Sequence, residues 1–151
     1  MLAVLRIRGS VTTSGEVEDT LKMLKLGHVN SCVVLPEMPS YQGMIEKCKD
    51  WVAYGKINHD VFLDMLKKRG RIAGDKKLDE NVLKNLGFKS FEDLIKNVFD
   101  GKMKMTDIEG LNPTFRLSPP TKGYSSIRNS YPEGSLGNWG DKINELLAKM
   151  I

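Results

Sequence analysis

Three features of the 151-residue chain predict an α+β fold. Short strand-like apolar runs alternate with amphipathic helical stretches over residues 1–57, in the order β-α-β-α-β. Beyond residue 57 the pattern changes to helices and loops. A basic stretch rich in proline and glycine then precedes a last amphipathic helix. Hydrophobic residues make up 40% and charged residues 28%, a balance that folds rather than staying disordered.

Leu2 to Arg8 begins apolar and ends in alternation, with Leu5 and Ile7 on one face and Arg6 and Arg8 on the other; this reads as a strand with one buried face. Thr13 and Glu16 stand in the spacing of a capping box. Val17, Leu21 and Leu24 then recur at helical intervals up to a stop at Gly27. Ser31 to Leu35 is the second strand. After the turn Pro36-Glu37-Met38-Pro39, Ser40 caps a helix bearing Met44, Ile45 and Cys48. Trp51 to Ile57 is the third strand. Three strands covered by helices on one face are about the minimum for independent stability.

Asn58 is a candidate N-cap for a helix carrying Val61, Phe62, Met65 and Leu66 and ending at Gly70. Asp79 opens a short helix, with Leu78 and Leu83 as its staple, that ends at Gly87. Ser90 and Asp93 open another with Leu94, Ile95, Val98 and Phe99 as its apolar face. From Gly110 to Gly140 there is no long periodic stretch, and loops of that length are usually functional or disordered. The final helix starts near Asp141, and its stripe of Ile143, Leu147 and Met150 docks back on the body, tethering the loop at both ends. The chain therefore divides into a core at 1–57 and an extension at 58–151.

Net charge is +4 and the pI about 9.0, but the arrangement matters more than the total. Lys67, Lys68, Arg69, Arg71, Lys76 and Lys77 face Asp75 alone, a local net of +5. Arg116, Lys122 and Arg128 occur with no acid between them, a local net of +3, so the remainder of the chain is net acidic. Such concentration is expected for a polyanion partner. A helix dipole explains two or three cations at a helix end, not six around two glycines. Pro119-Pro120-Thr121-Lys122-Gly123-Tyr124, with Arg128 and Tyr131, mixes cations with rings on a stiffened backbone. Its rings either stack on RNA bases or pack locally.

Other chemistries have little support. Cys32 and Cys48 are not spaced with His28 or His59 as a zinc set and read as buried thiols. Gly134, Gly137 and Gly140 lack the preceding strand and spacing of a dinucleotide turn, and Gly70 to Lys76 lacks the ending of a P-loop. No carboxylate or histidine spacing points to an acid–base pair. No apolar run approaches the roughly 20 residues that cross a bilayer, and Met1 to Arg6 lacks the basic start of a secretory signal. The expected compartment is the cytoplasm.

The residues resemble the large-subunit ribosomal protein family L-thirty. Leu24 to Gly27 with Cys32-Val33-Val34-Leu35 is similar to that family's first helix and second strand. Met38-Pro39, Gly43-Met44-Ile45 and Val52 are similar to its second helix and third strand. The short bacterial form ends near here. The longer archaeal form, related to the eukaryotic L-seven protein, adds an extension. Leu66 to Ile72, Arg116 to Gly123 and the tail from Gly134 to Asn144 resemble that extension, so the likeness covers essentially the whole chain.

The resemblance implies a ferredoxin-like core bound to large-subunit ribosomal RNA beside neighbouring ribosomal proteins. It also implies an archaeal source and no catalytic site, cofactor, membrane or small-molecule substrate. Two departures stand out: the charge is low for a ribosomal protein, and Ser10 to Gly15 carries no basic residue. The expected RNA contacts are Arg6, Arg8, Lys67, Lys68, Arg69, Arg71, Lys76, Lys77, Arg116, Lys122, Tyr124, Arg128 and Tyr131. Charge reversal at Lys68, Arg69 and Arg71 is expected to impair incorporation and spare the fold. The rivals are a small enzyme or ligand-binding domain on the same core, marked by a pocket with convergent polar groups, and a free RNA-binding regulator.

Overall fold

A computed structural model describes residues 1–11, 13–79, 83, 88, 90–101, 103–108 and 110–151. The core alternates β1 (Leu2–Arg6), α1 (Gly15–Met23), β2 (Ser31–Leu35), α2 (Pro39–Lys47) and β3 (Val52–Lys56). β1 lies between β2 and β3 and is antiparallel to both, pairing Val4 with Val33 and with Tyr54. This is the expected ferredoxin-like βαβαβ core.

The extension supplies α3 (His59–Arg69), α4 (Phe91–Phe99), β4 (Thr114–Arg116), β5 (Gly137–Asn138) and α5 (Ile143–Ala148). β4 joins the sheet antiparallel to β2 and β5 joins parallel to β3, so the order is β4-β2-β1-β3-β5. Strands of three and two residues are too short to show periodicity, which is why the stretch after Gly110 reads from sequence as loop.

Two apolar layers flank the sheet. Leu2, Val4, Val33, Leu35 and Val52 pack under α1 and α2 with Leu21, Leu24, Ile45 and Cys48. The alternate residues, Ala3, Leu5, Cys32, Val34 and Ala53, pack against the extension with Phe62, Leu94, Phe115, Ile143 and Leu147. The single buried face expected of β1 is therefore corrected. Extension helices cover its second face, and every residue from Leu2 to Arg6 is buried.

Local signals differ in detail. The α1 N-cap is Ser14, since the Thr13 hydroxyl donates instead to Gly9 O at 3.3 Å. The helix stops before Gly27 because Lys25 takes a positive φ of 61°. Leu26 N then donates to Leu21 O at 2.8 Å and Lys25 N to Lys22 O at 2.9 Å, which is a Schellman closure. Pro39 at the first turn, not Ser40, opens α2. Asn58 precedes α3 as expected, and Ser90 caps α4 by accepting from Asp93 N at 3.3 Å. The helix expected from Asp79 to Gly87 falls mostly outside the described residues, although Leu83 N donates to Asp79 O.

Candidate RNA interface

The first basic segment meets Arg116, the start of the second, at the β4 edge of the sheet. α3 ends in Lys67-Lys68-Arg69, whose cations complement the helix C-terminus. The chain then turns back on itself: Arg71 bridges Lys77, Ile72 N donates to Lys76 O, and Leu78 N donates to Gly70 O. This hairpin of residues 71–77 leans on residues 110–112 through Ala73 N to Gly110 O and Asn112 N to Arg71 O, each 2.9 Å. Arg116 lines the same open depression of about 450 Å³, together with Ile72, Gly74, Asp75, Gly110 and Asn112.

The cations here differ from those on the opposite layer. Lys22 pairs with Glu18 and Asp19, Lys47 with Glu16 at 3.0 Å and Lys49 with Glu46 at 2.8 Å. Among the described residues no carboxylate lies within 4.0 Å of the Lys67, Lys68, Lys76, Lys77, Arg116, Lys122 or Arg128 side chains. All seven are exposed.

Several expected contacts point inward instead. Arg6 is 3% exposed, with Nη1 donating to Leu26 O at 2.8 Å and Gly27 O at 3.1 Å and Nε donating to Arg8 O at 2.9 Å. Burial lowers its pKa, with Glu18 and Cys48 opposing. Its expected RNA contact is corrected to a clamp joining β1 to the α1–β2 loop. Arg69 donates to Ser118 Oγ at 2.6 Å and to Ile151 O at 3.2 Å, so it ties α3 to the C-terminal segment, and its reversal would not spare the fold. Arg71 is half-buried, with Nη1 on Asp75 O at 3.1 Å.

The rings are likewise engaged. Tyr124 donates to Asn30 Oδ1 at 2.7 Å, and burial pushes its phenol up to about 12. Tyr131 lies 4.5 Å from Trp139, centroid to centroid, on the β5 side of the sheet. Arg8 sits 5.4 Å over the Trp51 ring. Arg128 belongs to the turn closed by Ser135 N to Ser126 O at 2.8 Å, and Lys122 to the loop tied to Lys149 O through Thr121 N. Neither touches the hairpin. Sequence reading missed the depression because Gly110 and Asn112 reach the hairpin only through backbone pairing.

Other chemistry has little footing among the described residues. No group of three His, Cys, Asp or Glu side chains could hold a metal, and no helix is long and apolar enough to cross a membrane. The thiols of Cys32 and Cys48 are buried and free, and burial pushes them up to about 12 and about 11. A cavity of about 510 Å³ beside β3 is lined in part by Glu37 and Glu46, which pair with the N-terminal amine and Lys49 rather than with each other.

The family model described as Ribosomal protein L30p/L7e matches residues 2–52. Proteins named large ribosomal subunit protein uL30 match along nearly their whole length. The Archaeoglobus fulgidus protein is 46% identical over 99% of both chains. That of Methanoculleus marisnigri is 45% identical over 99% of both. The Methanococcus maripaludis protein is 43% identical over 99% of this chain and 98% of its own. With this core, this extension and near-complete alignment to archaeal relatives, the chain belongs to the ribosomal protein L30p/L7e family.

Proposed function

We propose that the chain is a constituent of the large ribosomal subunit and binds ribosomal RNA through the basic β4 edge. As a member of a ribosomal protein family it is a structural component and not an enzyme. The observation that carries the RNA reading is the division between its cations. Lys22, Lys47 and Lys49 on the α1–α2 layer are matched with carboxylates, whereas Lys67, Lys68, Lys76, Lys77 and Arg116 at the β4 edge are exposed, with no carboxylate within 4.0 Å among the described residues. Unmatched cations gathered on one edge release counterions when phosphates replace them, which makes binding steeply salt-dependent. Its place is then on the ribosome in the cytoplasm. Sedimentation of the tagged chain with native ribosomes in its host, over a salt series, tests this. Retention on the large subunit at moderate salt and release at high salt is expected, and a chain at the top of the gradient at every salt refutes it.

A further inference from the structure

Of the two tryptophans, four tyrosines and five phenylalanines, all among the described residues, four phenylalanines are buried and the other seven rings are half-buried. Their polar ends and faces are occupied by Asn30 for Tyr124, Trp139 for Tyr131, Arg8 for Trp51 and Lys104 for Tyr41. Of the two histidines, His28 is exposed and the His59 side chain is 43% exposed, away from the depression's lining. Proteins that hold unpaired strands stack successive bases on open rings, and no aromatic residue lines the depression at the β4 edge. What the β4 edge does offer is charge around a depression with a small rim. Arg116 lines it, Lys76 and Lys77 close the hairpin that supplies Gly74, and Gly74 has nothing within 4 Å of where a side chain would begin. Among the described residues that line the depression, Asp75 and Arg116 carry charge, and Arg71, Lys76 and Lys77 lie beside them in the hairpin.

We infer that the partner of this edge is base-paired RNA, held by its sugar-phosphate backbone in the depression between the 71–77 hairpin and Arg116. This rests on the reading that the basic edge binds RNA. Duplex RNA is recognised through shape, phosphates and 2′-hydroxyls, which need exposed cations and close approach rather than rings. Gly74 has a positive φ of 84°, so its lack of a side chain serves the turn as well as the approach. Asparagine tolerates that conformation and adds bulk, which separates the two roles.

The test uses the full chain with a duplex of about 16 base pairs, the span of a double-stranded-RNA module, and a polyuridine strand of equal length. Affinities are measured from about 0.05 to 0.2 M salt. The duplex should bind about tenfold tighter than the strand. Arg116→Ala should make the duplex salt slope shallower by about 1. Gly74→Asn should weaken duplex binding about tenfold, with the melting curve unchanged. Equal or tighter binding of polyuridine overturns the inference, as does wild-type duplex affinity in both Gly74→Asn and Arg116→Ala. Lys76→Glu/Lys77→Glu separates the two failures. If that variant alone loses binding, the basic edge stands and the depression is not the seat; if it binds normally as well, the RNA reading itself fails.

Discussion

Replacing Arg6 with methionine separates a structural cation from an RNA-facing one. The guanidinium is 3% exposed and donates to three carbonyls, of Leu26, Gly27 and Arg8. Gly27 is exposed and Arg8 half-exposed, so water can reach their carbonyls once the guanidinium is gone. Leu26 is 0% exposed, so its carbonyl stays dry and unpaired, a cost of about 1–3 kcal/mol. Loss of the charged hydrogen bonds adds to this, while methionine recovers part of the packing and spares the desolvation of a charge. The net is about 2–3 kcal/mol, or a fall in melting temperature of roughly 4–12 °C for a chain of this size. Thermal and urea unfolding measure the loss, and RNA titration in parallel should give the wild-type salt slope. A variant within about 0.5 kcal/mol of wild type whose salt slope is shallower would refute the clamp and restore Arg6 to the interface.

Tyr124→Phe should cost about 1 kcal/mol, the worth of its bond to Asn30. The phenol titrates at about 12 when folded against an ordinary 10.0, so its stabilisation is whole below pH 10.0 and gone above about pH 12. Denaturant midpoints across that window should fall less steeply in the variant than in wild type, and equal slopes would contradict the assignment. Gly55→Ala should destabilise by about 2 kcal/mol or more, because a methyl on β3 would run into Gly140 O and the Ile143 side chain. An unchanged melting temperature there would mean that the 140–143 turn does not press on the sheet. Neither thiol should react with a thiol-selective reagent at pH 8 until the chain unfolds, since both are 0% exposed.

How much was legible in the sequence follows from the range over which each signal acts. Val17 and Leu21, or Leu94 and Val98, lie one turn apart on a single helix, and the run Ser31 to Leu35 coincides with β2. β4 and β5 were not legible because three- and two-residue strands are defined by their partners, Cys32 for Phe115 and Ala53 for Gly137. The charge segments were legible as charge, but not their division of labour. Arg6 and Arg69 look like Lys68 in a sequence, and only the positions of Leu26, Gly27, Ser118 and Ile151 turn them into clamps. Tyr124 is similar, since Asn30 lies far away along the chain.

The most direct measurement is incorporation of a charge-reversed chain into large subunits, followed by gradient sedimentation from its host. Lys67→Glu, Lys68→Glu, Lys76→Glu and Lys77→Glu are combined in one variant, all at exposed positions with no carboxylate within 4.0 Å among the described residues. The variant should fold and melt roughly 10 °C or less below wild type, because surface charges contribute about 0.5 kcal/mol or less each and the two at the end of α3 add a dipole cost of similar size, and it should stay at the top of the gradient. A companion reversed at Lys22, Lys47 and Lys49, on the layer where cations are already matched, should still enter the large subunit. Normal incorporation of the first variant, or equal loss in both, would contradict the account.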